Sequence, residues 1–360
     1  MNWTYNVPIK FHEYDLKQMK NRLKNFDKNT LLIASKRVIN TFDLDVSNFQ
    51  VLDDSLSNPD IHLVEKVLEK ISRPDLIVAI GGGSSIDLAK VISALYEYKD
   101  EDVLALIRFK KYLDNEINIP IVAIPTTAGT GSECTKWATI WDMDNLKKYS
   151  VDADYLYPVE SWMVPELTCT MGYDLTLSTG LDALAHAMES YWSKASNSYT
   201  RVLARDSIRI ISKYLPLVLD DLDNMEYRQK MLMGSFFAGL AFSNTRTTAA
   251  HSISYPLTML YGINHGFAVS ITLFEILKRN SKYLKEQELF LEAFGVNNLE
   301  EVLVWFKLVS GEKINLKNFG VKKEEIPNIV NLATTGGRMD NNPIVFSEEE
   351  IQDILNCCYK

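Results

Sequence analysis

Three short runs of purely apolar residues constrain this chain most. Leu31-Leu32-Ile33-Ala34, Leu76-Ile77-Val78-Ala79-Ile80 and Ile121-Val122-Ala123-Ile124-Pro125 show no polar alternation. A strand with one wet face alternates polar and apolar residues, so a strand without alternation is buried on both faces. Cover on both faces has to come from the segments between the runs. Leu63 to Ile71 reads as such a helix, with Leu63, Val67, Leu68 and Ile71 on one side. Strands alternating with helices predict a mostly parallel sheet with helices on both faces. From about Pro165 the pattern turns helical: Leu181 to Trp192, Arg201 to Leu215, Glu226 to Phe242 and Val269 to Leu277. Ser347-Glu348-Glu349-Glu350 reads as a capped start of a last helix ending near Cys357. The expected fold is an α/β domain with a parallel sheet over residues 1–164, then an all-helical domain over residues 165–360.

The helical half holds an unusual set of side chains. The chain has five histidines, and His186, His251 and His265 fall in one stretch with Asp182. Asp182 and His186 are four apart among good helix formers, which puts them on one helix face. His251 and His265 would stand about 21 Å apart in one straight helix, too far to share an ion. Pro256, Gly262 and Gly266 interrupt that stretch and let it fold back. One carboxylate and three imidazoles suit a transition metal such as Fe(II) or Zn(II), and suit calcium or magnesium poorly. Without a thiolate, and with room for a further ligand, the set reads as catalytic rather than structural.

Two loops follow apolar strands. Gly81-Gly82-Gly83-Ser84 leads into a helix start; it is neither the G-x-G-x-x-G pattern nor a P-loop. It reads as a phosphate cradle at a helix N-terminus or as a tight strand-to-helix turn. Thr126-Thr127-Ala128-Gly129-Thr130-Gly131-Ser132 offers hydroxyls and amides that could line a cofactor, or form an ordinary Thr/Gly loop.

A net charge of −9 argues against a nucleic-acid partner. No apolar segment is long enough to span a bilayer. Met1 to Phe11 lacks a basic region followed by an apolar run, so no signal peptide is expected. Four cysteines in no zinc or disulfide pattern fit a reduced, cytoplasmic setting.

Together these residues resemble the iron-containing (group III) alcohol dehydrogenase family over essentially the whole chain. The likeness rests on Gly81 to Ser84, Thr126 to Glu133, Gly180-Leu181-Asp182-Ala183-Leu184-Ala185-His186, the pair His251 and His265, and Asn342-Pro343. It implies a dinucleotide-binding domain followed by a helical metal domain, as in the dehydroquinate synthase-like fold, and a homodimer. It implies that Asp182, His186, His251 and His265 ligate Fe(II), with Zn(II) the alternative. Gly82, Gly83 and Ser84 would meet the pyrophosphate, and Thr126, Thr127 and Ser132 the nicotinamide half. Asp87 and Thr130 complete the cofactor set. The implied reaction is hydride transfer between a nicotinamide and a carbonyl carbon.

This sequence departs from the family's pattern in three places. Many members carry a histidine four residues after the third ligand, where this chain has Tyr255. NAD-specific members tend to have an acidic residue after the first strand, where Ser35-Lys36-Arg37 stands. Lys36 and Arg37 favour the 2′-phosphate of NADP, so NADPH is expected over NADH. Before His251 runs Asn244-Thr245-Arg246-Thr247-Thr248-Ala249-Ala250, with Arg246 and Thr248 where the family places glycine. Arginine, threonine hydroxyls, free amides and a helix start suggest an oxyanion site, with Lys136 as a second positive charge. This part resembles the phosphonoacetaldehyde reductase branch, which implies reduction of phosphonoacetaldehyde to 2-hydroxyethylphosphonate in phosphonate biosynthesis. The alternatives are a reductase of plain short-chain aldehydes, a lyase like dehydroquinate synthase, and a nucleotide-binding protein without catalysis. Arg338 and Asn341 are further polar candidates.

Overall fold

A computed structural model describes residues 7–53, 59–115, 117–145, 147–311, 313–334 and 339–359. The chain divides into two compact units, residues 1–127 with 131–170, and residues 128–130 with 171–360. Among the described residues no helix is long and apolar enough to cross a membrane.

The first unit runs β1 (Lys10–Glu13), α1 (Leu16–Leu23), β2 (Thr30–Ala34), α2 (Lys36–Thr41), β3 (Gln50–Leu52) and α3 (Ile61–Lys70). It continues with β4 (Leu76–Gly81), α4 (Gly83–Leu95), α5 (Val103–Arg108), β5 (Ile121–Pro125), β6 (Trp137–Asp142), β7 (Lys147–Asp152) and β8 (Glu160–Met163). Six strands form one sheet in the order β1-β8-β5-β4-β2-β3. Every pairing in it is parallel. The three apolar runs are its centre, and they feed two cores by simple alternation. Leu31, Ile33, Ile77, Ala79, Ile121 and Ala123 face one core, which α3 and α4 cover. Leu32, Ala34, Val78, Ile80, Val122 and Ile124 face the other, which α1 and Trp162 cover. On α3 the buried stripe is Ile61, Val64, Val67 and Leu68; Leu63 and Ile71 pack only at its margin. The sheet's outer strands β1, β3 and β8 and the antiparallel hairpin β6–β7 add to the expected set.

The second unit is helical: α6 (Tyr173–Trp192), α7 (Ser198–Asp220), α8 (Met225–Thr245), α9 (Ala249–Tyr261) and α10 (His265–Asn280). The shorter α11 (Gln287–Phe294), α12 (Leu299–Ser310), α13 (Ile326–Ala333) and α14 (Glu348–Cys357) follow. Ser347 caps α14 in a reciprocal box with Glu350, as its sequence predicts. Helix α6 is buried on nearly every side from Thr176 to Trp192, because α7, α8 and α10 surround it. A helix buried all round carries polar groups inward only where they find partners.

Pro256 does not break the chain as expected. It lies inside α9, where its missing N–H costs one bond toward the Ser252 carbonyl. The buried face from Ala249 to Leu257 outweighs that loss. The reversal comes at Gly262, whose φ of +63° is left-handed backbone. Asn264 then caps α10 by accepting from the Gly266 amide, and the Ser178 hydroxyl donates to the same Asn264 oxygen. A Cβ on Gly266 would sit 2.0 Å from the Ser178 carbonyl oxygen, so only glycine lets α10 start this close to α6. Gly266→Ala is expected to lower stability by roughly 1–3 kcal/mol through overpacking. A urea-denaturation midpoint measures it.

Candidate functional site

The close contact at Gly266 has a chemical consequence one helical turn further on. Asp182 and His186 share one face of α6, His251 is the third residue of α9, and His265 the first of α10. Around Asp182 Oδ1 stand His251 Nε2 at 3.6 Å, His186 Nδ1 at 3.9 Å and His265 Nε2 at 3.9 Å. The ligand atoms of Asp182, His186 and His251 all lie within 4.8 Å of one another. Two donors bound tetrahedrally at about 2.1 Å stand about 3.4 Å apart, close to these spacings.

The same three atoms, Asp182 Oδ1, His186 Nδ1 and His251 Nε2, are buried without a hydrogen-bond partner among the described residues. Leaving three such atoms facing one another is expensive unless something binds them together. A divalent cation fits: one anionic oxygen and imidazole nitrogens converge on a common point. His265 has a side-chain exposure of 37%, which leaves the cluster open on its side. Burial opposes Asp182's charge, but the neighbouring imidazoles hold its carboxyl below the usual range. Burial pushes His186 down to about 4, which keeps the ring neutral with one lone pair available. His186 also stacks on Phe242, with centroids 4.1 Å apart.

Sequence reasoning passed over Glu189, which is fully buried on α6. Its carboxylate accepts from the Thr248 amide at 3.0 Å, the Thr248 hydroxyl at 2.7 Å, the Ala250 amide at 2.7 Å and His251 Nδ1 at 2.5 Å. The signal was present: Asp182, His186 and Glu189 follow the i, i+4, i+7 rhythm of one helix face. This corrects the expected oxyanion site. The amides of Thr248 and Ala250 at the start of α9 are not free, because Glu189 already occupies them. The Thr248 hydroxyl is committed to Glu189, and the Thr245 hydroxyl to Ser190 at 3.0 Å.

Arg246 remains. Its side chain is exposed, and its backbone stands at φ 59°, ψ 177°. That region is essentially reserved for glycine and costs an ordinary residue roughly 1–3 kcal/mol. Tyr255, one turn beyond His251, stacks nearly parallel to the His265 ring, with centroids 6.3 Å apart. Lys136 was expected to add positive charge to the substrate site. Its Nζ instead sits 2.6 Å from Asp154 and 3.7 Å from Asp152, so its charge is already answered. Asn341 donates to the Thr245 carbonyl, a tie within the second unit, and Arg338 lies outside the described residues.

In the first unit the cofactor candidates collect at the carboxyl ends of β2, β4 and β5. The chain steps from β2 outward to β3 and then returns to β4 on the other side, so β2 and β4 flank a topological switch point. Gly82 starts α4 with no side-chain cap, which leaves that helix N-terminus available to an anion. A Cβ on Gly81 would meet Ser85 Oγ at 2.2 Å, so the tight entry demands glycine. Gly81 pairs with Pro125, and the Thr126 amide donates to the Gly81 carbonyl. The glycine loop of Gly82, Gly83 and Ser84 therefore lies beside Thr126 and Thr127. Ala34 pairs with Ile80, so Lys36 and Arg37, in the first turn of α2, leave the sheet next to the glycines. Lys36 faces Asp53 at 3.7 Å and Arg37 donates to the Thr170 carbonyl.

Asp87 and Ser132 are placed differently from a simple cofactor contact. The Ser132 hydroxyl donates to Asp87 at 2.5 Å, and the wholly buried Lys90 donates to Ser132 Oγ at 2.9 Å. Lys90 also reaches Thr135 and the carbonyls of Ser132 and Trp137. Burial lowers Lys90 to about 8 and raises Asp87. These residues brace the segment from Ser132 to Trp137, while Thr130, half-buried, falls in the second unit.

Comparison with known proteins gives a consistent picture. Residues 7–163 match the family model of iron-containing alcohol dehydrogenase, and residues 176–359 match the C-terminal model of the Fe-containing alcohol dehydrogenase family. The NAD-dependent methanol dehydrogenase of Bacillus methanolicus is 30% identical over 329 residues, covering 87% of this chain and 84% of that protein. The crystal structure of sulfoacetaldehyde reductase from Bifidobacterium kashiwanohense in complex with NAD+ superposes with a TM-score of 0.89 at 27% identity, over 99% of both chains. An iron-containing alcohol dehydrogenase from Thermotoga maritima gives 0.83 at 28% identity, again over 99% of both.

The backbone at Arg246 gives a direct test of strain. Arg246→Gly is expected to be about 1 kcal/mol more stable than Arg246→Ala, the strain relieved less the entropic cost of glycine. Thermal or urea unfolding of the two variants reads the difference, since both remove the guanidinium and only glycine relaxes the backbone.

Proposed function

The chain belongs to the iron-containing alcohol dehydrogenase family, and from that premise we propose that it reduces a short aldehyde bearing an anionic head group, phosphonoacetaldehyde first, with NADPH. Membership favours oxidoreduction over the lyase reading and over a binding protein without catalysis. The observation that carries the head-group reading is Arg246. A residue kept in glycine's backbone region, against its own stability and five positions before His251, is kept for its side chain. A guanidinium there suits a phosphonate or sulfonate through paired charge-assisted hydrogen bonds. The solved sulfoacetaldehyde reductase, whose named substrate carries a sulfonate beside its aldehyde, supports the same class.

Asp182, His186, His251 and His265 would hold iron, which supplies Lewis-acid polarisation of the carbonyl while the nicotinamide supplies hydride. Arg246 binds and orients the head group, so that the carbonyl carbon is presented in one pose. Tyr255, stacked beside His265, is assigned to deliver the proton that completes the alcohol. The uncapped start of α4 binds the pyrophosphate through backbone amides. Lys36 and Arg37 at the neighbouring strand end favour a 2′-phosphate. The exposed Lys36–Asp53 contact is weak and yields readily to such a group.

The reading is tested by reduced-nicotinamide oxidation with Fe(II)-loaded protein. Phosphonoacetaldehyde is expected to be preferred over acetaldehyde and butyraldehyde. Arg246→Ala should lose on the order of a hundredfold in kcat/KM for the phosphonate substrate and little for acetaldehyde. Equal treatment of the three aldehydes by wild type and variant would instead mark a reductase of plain short aldehydes. Lys36→Ala with Arg37→Ala should raise KM for NADPH by about tenfold or more and leave NADH unchanged. Chelation should abolish turnover, and returning Fe(II) should restore it.

A further inference from the structure

We infer that Glu189 is the positioning residue of the metal centre: it fixes the tautomer of His251 and at the same time ties the start of α9 to α6. The inference rests on the metal-binding reading of Asp182, His186, His251 and His265. Thr248 begins α9 without a cap from its own side chain, so the helix's first donors need an acceptor from elsewhere. Glu189 supplies it from α6, with two donors on each carboxylate oxygen. Oε1 takes the Thr248 hydroxyl and the Ala250 amide; Oε2 takes the Thr248 amide and His251 Nδ1. The Thr248 hydroxyl in turn accepts from Trp192 Nε1 at 2.9 Å, which orients its proton toward Glu189.

The fourth contact sets the chemistry. A carboxylate can only accept, so the nitrogen facing it, Nδ1, carries the proton. In the neutral ring Nε2 is then the lone-pair nitrogen, and Nε2 is the atom that faces Asp182 Oδ1. The contacts to Thr248 and Ala250 add position to this tautomer choice. They hold the first turn of α9 at a fixed distance from α6, and His251 sits in that turn. One side chain therefore sets both where His251 lies and which of its nitrogens is offered. The i+7 relation to Asp182 and the i+3 relation to His186 keep the tie on the same rigid helix as two of the ligands.

A residue that only caps a helix changes stability, whereas one that sets ligand geometry changes metal affinity beyond stability. Glu189→Gln, Glu189→Ala and Thr248→Ala are compared by unfolding of the metal-free proteins and by chelator competition for Co(II) and Zn(II). The Co(II) visible spectrum is recorded for each. Thr248→Ala, which keeps the contact to His251, is expected to lose stability while holding affinity within about threefold of wild type. The Glu189 variants are expected to lose about 10- to 100-fold in affinity, with an altered Co(II) spectrum. Wild-type affinity in a folded Glu189 variant overturns the inference. Should the Glu189 variants not fold, imidazole nitrogen NMR of wild-type protein loaded with Zn(II) decides. A slowly exchanging proton on His251 Nδ1 supports the assignment, and a proton on Nε2 overturns it. Failure of wild type to bind Co(II) or Zn(II) at all overturns the metal-binding reading and this inference with it, an outcome distinct from the variant result.

Discussion

Three buried polar atoms that face one another without a hydrogen bond are the constraint on which the helical unit depends. Asp182 Oδ1, His186 Nδ1 and His251 Nε2 come from two helices, and the folding of neither helix requires them there. Each such atom, left unsatisfied, costs about 1–3 kcal/mol. The surroundings hold them in place regardless. Gly266 and Asn264 lock α10 against α6, and Glu189 locks α9 against the same helix. A fold that spends packing and hydrogen bonds to keep unsatisfied polar atoms together is preorganised for a ligand that satisfies them all. The arrangement also explains why α6 is buried so completely. It is the common wall to which the other ligand-bearing helices are fixed, and Ser178, Asp182, His186 and Glu189 on it are ligands or their supports.

The α/β unit solves a different problem with the same economy. Its central strands bury both faces, so the loops at their carboxyl ends are the places where backbone amides remain open to a ligand. Gly81 is required by the close approach of Ser85, and the resulting tight entry leaves the first amides of α4 without a side-chain cap. The second unit shows the opposite choice at α9, where Glu189 fills the equivalent position. One helix start is left to an outside anion and the other is filled by an internal one, which fits a nucleotide phosphate at the first and a rigid metal ligand at the second.

The parts legible in the sequence are those with a strong local period. The β2, β4 and β5 runs announced themselves by lacking alternation, and the odd and even residues fall into the two cores as that reading requires. The Asp182–His186 spacing fixed a shared helix face. The outer strands β1, β3 and β8 were not legible, because three or four residues of mixed polarity carry no period. Pro256 misled because its local cost was weighed without the packing of α9. The free-amide site before His251 misled for a related reason: the acceptor that fills it lies 59 residues earlier in the chain, and no local pattern reports which helix start abuts which acid. Glu189 was visible as a position on a face but not as a partner.

Arg246 shows how a local rule that fails becomes evidence. A sequence pattern asks for glycine where the chain turns out of α8, and the backbone adopts glycine's geometry with an arginine in place. The side chain is exposed, so no core packing offsets the strain, and its backbone amide makes the same bond to the Phe242 carbonyl that any residue there would make. With Glu189 holding the Thr248 and Ala250 amides, the head-group recognition proposed above rests on the Arg246 guanidinium rather than on that helix start. Such a side chain reaches a tetrahedral phosphonate or sulfonate with two parallel hydrogen bonds, and a glycine at the same place offers a plain aldehyde nothing to be selected by. On the proposed reading, charge on the substrate is what makes a strained arginine worth retaining.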